Sequence, residues 1–164
     1  MIARAATADD AAAIVAIYNE GIDDRIATFE TRHRTPLEIQ SWFGTRYPIV
    51  VVEDAGRIVA FASTSEYRRR DCYSGIAEFS VYAARDARGR GCGRCALAAL
   101  FDASERAGFW KLVSRVFVEN IPSRELLRRT GFREVGLYRR HGRLDGRWRD
   151  AVIVEKLLGE AADV

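Results

Sequence analysis

The chain has 164 residues, 48% of them hydrophobic, and sets 26 basic against 23 acidic residues for a net charge of +3. That length predicts one domain over residues 1–164, able to bury about two-thirds of its extended-chain surface. The even charge balance argues against a protein that coats nucleic acid, and no apolar run approaches the ~18 residues of a membrane helix.

The N-terminus carries Asp9 and Asp10 early and lacks a signal-peptide core. With an odd count of three cysteines, this predicts a reducing, cytoplasmic setting. Residues 2–5 read as a short strand. Thr7-Ala8-Asp9-Asp10 resembles a helix cap with an acid three positions on, and the helix it opens is expected to run to about Glu20 and stop at Gly21. Ile14, Ile17 and Tyr18 would face the core. Residues 22–34 show no period. Thr35-Pro36-Leu37-Glu38 combines a cap, a proline in the first turn and a closing glutamate, and Trp42 and Phe43 behind it would pack inward. Two strands, 48–53 and 57–65, flank the turn signal Asp54-Ala55-Gly56. A loop over 66–75 follows, with consecutive arginines Arg68, Arg69 and Arg70 ahead of Tyr73.

Residues 76–82 alternate as a strand should. Ala77, Phe79 and Val81 share one face, and Glu78, Ser80 and Tyr82 the other. A carboxylate in mid-strand is unusual, because strands disfavour acids and burial penalises charge. Then comes Arg88-Gly89-Arg90-Gly91-Cys92-Gly93, and a helix from Arg94 with an apolar stripe at Leu97, Leu100 and Phe101. Strand, Gly/Arg loop and helix together make an anion cradle, since the N–H groups of a first helical turn are unpaired and the dipole favours negative charge there. The loop is neither a P-loop nor the dinucleotide spacing. By itself it also reads as a plain turn with glycines for geometry. Cys92 and Cys95 form a lone CxxC with no second pair, and His33 and His141 stand apart, so no metal or redox chemistry is expected.

Ala107-Gly108 ends that helix, and a strand over 112–118 completes a βαβ unit, so it should lie parallel to the Glu78 strand. Asn120-Ile121-Pro122-Ser123 opens a short helix to about Arg129, stopped by Gly131. Strands over 132–140 and 148–157 are separated by a turn at Leu144-Asp145-Gly146, and the tail from Gly159 is expected to fray.

Arg88-x-x-Gly91-x-Gly93 after a strand resembles the acetyl-CoA loop of the GNAT acetyltransferase superfamily. Glu78-x-x-Val81-Tyr82 and Gly146-x-Trp148-x-Asp150 are similar to its phosphinothricin and methionine-sulfoximine branch, arsinothricin N-acetyltransferases included. Asn120-x-x-Ser123 before Gly131-Phe132 resembles the superfamily's second acetyl-CoA motif. The resemblance spans nearly the whole chain. It implies an α/β fold: a mixed, mostly antiparallel sheet of seven strands with helices on both faces. It implies acetyl-CoA as co-substrate, its pyrophosphate held by Arg88, Gly89, Arg90, Gly91, Cys92, Gly93 and Arg94. The pantetheine arm would meet Val81, Tyr82, Ala83, Asn120 and Ser123. Phe29 and Glu30 would line the acceptor pocket, and Arg70 and Tyr73 would contact the acceptor's acidic group. No metal, nucleic acid or membrane partner is implied, and a homodimer is. One departure is Leu127, where many members of the superfamily carry Tyr and some of this branch His. A leucine protonates nothing, so the coenzyme leaves as a thiolate or takes its proton from water.

Acyl transfer to an amine needs a bound thioester, a neutral amine, a polarised carbonyl and a route for the proton. Glu78 is the one acid of its strand and the natural base. No serine or cysteine has a plausible histidine partner, so direct attack in a ternary complex is expected. The activity that the resemblance implies is N-acetylation of a small glutamate-analogue amino acid, in a detoxification role. Other readings stay open: another amine, such as a protein N-terminus or polyamine, or a non-catalytic acyl-CoA-binding module.

Overall fold

The computed structural model describes residues 1–163. Seven strands form one sheet: β1 (Ile2–Ala5), β2 (Ile49–Asp54), β3 (Arg57–Glu66), β4 (Ile76–Ala83), β5 (Lys111–Phe117), β6 (Arg133–Leu144) and β7 (Arg147–Leu157). Their order is β1-β2-β3-β4-β5-β7-β6. Every neighbouring pair is antiparallel except β4 and β5. Those two are joined by helix α3 (Cys92–Arg106), the crossover that parallel strands require. The hairpins β2–β3 and β6–β7 each turn on two residues of positive φ, Ala55 and Gly56 in one, Asp145 and Gly146 in the other. Such turns match the twist of the strands they join. The mixed, mostly antiparallel α/β architecture expected from the sequence is the one observed.

Two faces of β4 meet two layers of helix. Tyr82 packs against Tyr18 of α1 (Ala11–Asp23), ring centroids 5.1 Å apart. Phe79, on the opposite face, stacks at 4.6 Å on Phe132, which in turn meets Phe101 of α3. α2 (Pro36–Gln40) lies against α1. Leu97, Leu100 and Ser104 of α3 are fully buried against the sheet. No helix among the described residues is long and apolar enough to cross a membrane.

Three expectations are corrected. Gly21 does not end α1, which continues to Asp23. The glycine is there for close approach, since a Cβ on it would stand 2.7 Å from the Tyr82 ring. α3 begins two residues earlier than its apolar stripe suggests, at Cys92, because the stripe reports burial and the preceding glycine sets the start. The tail does not fray at Gly159: residues Gly159–Ala162 form a 3-10 turn. It is anchored by Leu158, 3% exposed, whose N–H donates to the Trp110 carbonyl.

The acid at Asp10 does more than close a cap. It accepts from the Thr7 N–H at 2.8 Å and from two Arg4 nitrogens at 2.8 and 2.9 Å, and Arg4 also donates to Glu53. The Arg4 guanidinium holds the Asp10 carboxyl below its ordinary value of 3.8. A depressed carboxylate contributes stability that is full above that ordinary value and lost as pH falls through the folded one. Asp10→Asn should therefore cost about 1–3 kcal/mol at neutral pH. In denaturant melts the gap between variant and parent should narrow as pH falls below about 4.

Candidate active site

β4 and β5 pair over three registers only, Ile76 with Lys111, Ala77 with Leu112 and Glu78 with Val113. Beyond Glu78 the strands part. β5 stays paired to β7 through Phe117, and β4 to β3 through Ala83. A wedge thus opens between neighbouring strands, flanked by the backbone of Phe79–Ala83 on one side. Unpaired strand backbone seeks an extended partner with amides of its own. Val81, Tyr82 and Ala83 all lie along this edge.

The wedge leads to the Gly/Arg loop. Gly89 and Gly91 have φ of 75° and 85°, the left-handed region that L side chains avoid. Gly91 is the residue before α3, and no side chain caps the helix. The N–H groups of Cys92, Gly93 and Arg94 fall in the first turn, where the helix offers no acceptor. Nothing lies within 4 Å of where a Cβ on Gly89 or Gly91 would be, so the approach is open. Gly93 serves packing instead: a Cβ there would be 2.9 Å from Leu126 of α4 (Ile121–Arg129). The Cys92 side chain is turned inward and its Sγ donates to the Ala87 carbonyl at 3.4 Å. These two residues can meet an anion through backbone alone.

The loop's arginines divide. Arg88 pairs with Asp24 at 2.6 Å and Arg90 with Asp54 at 2.8 Å. Arg94 is exposed and has no carboxylate partner among the described residues. The two tethered side chains brace the loop, and Arg94 is the cation at hand. Asn120 caps α4, its Oδ1 accepting from the Ser123 N–H at 3.3 Å. Leu127 is packed in the core at 2% exposure.

On the α1 face, a pocket of about 320 Å³ lies over β3 and β4. Tyr18, Trp42, Phe61 and Tyr82 wall it with aromatic rings, and Ser63, Ser65 and Ser80 supply hydroxyls. Burial pushes both the Tyr82 and the Tyr18 phenols up from their ordinary value. Near neutral pH they are donors, not bases. Glu78 lies directly across from Ser65, on the face that Ser80 and Tyr82 share. It therefore stands where the wedge closes and the pocket ends. Its carboxylate is held by an Arg115 nitrogen of β5 in an ion pair.

The other acceptor candidates do not line this pocket. Phe29 packs on Phe117, 4.7 Å between ring centroids, and Glu30 pairs with Arg34 at 2.9 Å. Their segment crosses the mouth of the wedge, bridging α1 and β5. Arg70 lies over the Tyr73 ring at 5.7 Å, on the loop ahead of β4. Of the three loop arginines, Arg69 alone has a carboxylate partner among the described residues, Glu66 at 3.3 Å. The pocket walls Tyr18, Trp42 and Phe61 and the Glu78 partner Arg115 were not singled out in sequence as site residues. Tyr18 reads as core because its helical position is a core position, and Trp42, in the turn just after α2, because a large apolar ring behind a helix start is expected to pack inward. Arg115 lies on the Glu78 face of a strand that sequence already placed parallel to β4, a usable signal.

Residues 3–153 match the family model for the acetyltransferase (GNAT) domain. The chain belongs to the GNAT acetyltransferase family. It is 34% identical over 160 residues to an L-methionine sulfoximine/L-methionine sulfone acetyltransferase of Pseudomonas aeruginosa, covering 93% of this chain and 91% of that one. It is 33% identical over 162 residues to a phosphinothricin N-acetyltransferase of Streptomyces coelicolor, covering 94% and 95%. Among solved structures, an acetyltransferase from Salmonella typhimurium with its cofactor acetyl-CoA superposes with a TM-score of 0.92 at 30% identity, covering 98% and 95%. A GNAT enzyme is an N-acetyltransferase with acetyl-CoA as acyl donor, and this GNAT site fits that donor. The free N–H groups and positive end of α3 suit a pyrophosphate, and the wedge suits an amide-bearing arm.

Proposed function

We propose that the chain moves the acetyl group of acetyl-CoA to the α-amino group of a small glutamate-analogue amino acid with a second acidic or sulfoximine group. Phosphinothricin, arsinothricin and methionine sulfoximine are of this type, and the role is detoxification. The observation that carries this reading is the position of Glu78, at the point where β4 and β5 part and beside a pocket with aromatic walls. The relatives' acceptors support it. The resemblance also supports a cytoplasmic homodimer.

Bound acetyl-CoA supplies an activated thioester. The N–H groups of Cys92, Gly93 and Arg94 and the Arg94 side chain hold its pyrophosphate, with Arg88, Gly89, Arg90 and Gly91 shaping the loop. Val81, Tyr82 and Ala83 pair with its arm, helped by Asn120 and Ser123. Glu78 takes one proton from the acceptor's ammonium, directly or through water. The neutral amine adds to the carbonyl carbon, the C–S bond breaks, and the second amine proton goes to the thiolate or to water. Phe29 and Glu30 line the acceptor's site from the segment at the mouth of the wedge, and Arg70 with Tyr73 meets its distal anionic group.

Coenzyme release measured across phosphinothricin, methionine sulfoximine, spermidine and an alanine-led peptide tests the reading. The two amino acids should exceed the others in kcat/KM by ~100-fold. A peptide or polyamine that wins would reassign the acceptor, and silence on every amine despite tight acetyl-CoA binding would leave a binding module. Arg70→Ala should raise the acceptor KM by the worth of one charge-assisted contact, about 1.5–3 kcal/mol, with the KM for acetyl-CoA unchanged. Wild-type acceptor kinetics in that variant would remove Arg70 from the site.

A further inference from the structure

Arg115 sits on β5 two residues past Val113, the last one paired with β4, so it lies where the strands have parted. Its side chain shares the Glu78 face, and its bond to Glu78 is the guanidinium's one hydrogen bond among the described residues. Nearly half of the side chain, 46%, is exposed, so most of its N–H donors remain free. Its neighbours on that face are apolar: Val113 and Phe117 along β5, Ile153 across on β7. The nearest other charges there are already neutralised, Glu155 being paired with both Lys111 and Arg133. Apart from Glu78, nothing in the packing of the described residues accounts for an arginine at this place.

The pocket beside it poses the complementary question. Glu66 is the one charged residue in its lining, and it is an acid. An anionic acceptor must find its cation at the rim. We propose that Arg115 binds the α-carboxylate of the acceptor while Glu78 receives the α-ammonium, the Arg115–Glu78 pair being exchanged for two pairs to the zwitterion. This rests on the amino-acid acceptor proposed above and names the group that reads its backbone end. The exchange leaves no charge unpaired, and the planar guanidinium matches a carboxylate in a two-point contact. Recognition then divides between two cations: Arg115 for the α-carboxylate, Arg70 for the distal group. Arg115 is thereby a specificity determinant as well as the holder of the base.

The test uses L-phosphinothricin and its α-carboxamide as paired acceptors at saturating acetyl-CoA. The carboxamide keeps the amine and loses the charge. Wild type should prefer the acid in kcat/KM, and Arg115→Met should raise the KM for the acid by ~10-fold while changing that for the amide by less than about twofold. Arg115→Lys, which keeps the charge without the fork, should recover part of the preference, and it decides the matter if the Met variant melts early. Equal losses on acid and amide, with a shifted pH profile of kcat, would mean that Arg115 only positions Glu78 and would overturn the assignment. If wild type turns over the acid and Arg115→Met keeps the preference, the Arg115 assignment alone falls. If wild type acetylates neither probe yet works on another amine, the amino-acid reading falls and takes this one with it.

Discussion

Glu78→Gln should fold and bind acetyl-CoA as the parent does, yet lose ~10²–10⁴ in kcat near neutral pH. Glutamine keeps the length and still accepts from Arg115, but it cannot take a proton from an ammonium. The deficit should shrink as pH rises, because solution then supplies the neutral amine. That slope separates a base from a structural carboxylate. The ion pair with Arg115 makes the structural alternative concrete. If holding Arg115 were the whole role, the variant would lose stability and rate alike at every pH. A melting curve and a pH–rate profile on the same preparation distinguish the two. A rate within about threefold of wild type at pH 7 would show that Glu78 is not the base.

Gly91→Val should raise the dissociation constant for acetyl-CoA by ~10–100-fold. Two effects combine. The φ of 85° is one that a β-branched residue adopts only under strain, so the start of α3 would shift and carry the N–H groups of Cys92, Gly93 and Arg94 with it. The new side chain would also stand in the open approach above the loop. Gly108→Val is the matched control. Its φ is 88° and nothing lies within 4 Å of its added Cβ, but it sits at the other end of α3. The control should lose comparable stability and keep its coenzyme affinity. Calorimetry returning an unchanged constant for Gly91→Val would remove the loop from the coenzyme site.

Much of this protein was determined by sequence alone, wherever the determinant is local. Alternation marked β4 and put Glu78 opposite Ala77, Phe79 and Val81. The capping residues around Thr35 and the turn residues at Asp54–Gly56 and Leu144–Gly146 act within a few bonds of the structures they set. The Gly/Arg loop is similarly self-contained, since the glycines, the helix start and the orphan N–H groups follow one another along the chain. Tertiary structure decided what depends on partners far apart. The wedge exists because β5 leaves β4 after Val113 to follow β7, and no property of either strand alone contains that. Glu78 meets Arg115 across 37 positions, and Arg90 meets Asp54 across 36. That second contact turns a side chain expected on phosphate into a brace for the loop. Gly21 reads as a helix stop by composition but is a contact surface for Tyr82. Tyr18 reads as core by its place on a helix and Trp42 by its large apolar ring, yet both wall a pocket, because an apolar side chain looks the same in sequence whether it meets a packed sheet or a cavity above one.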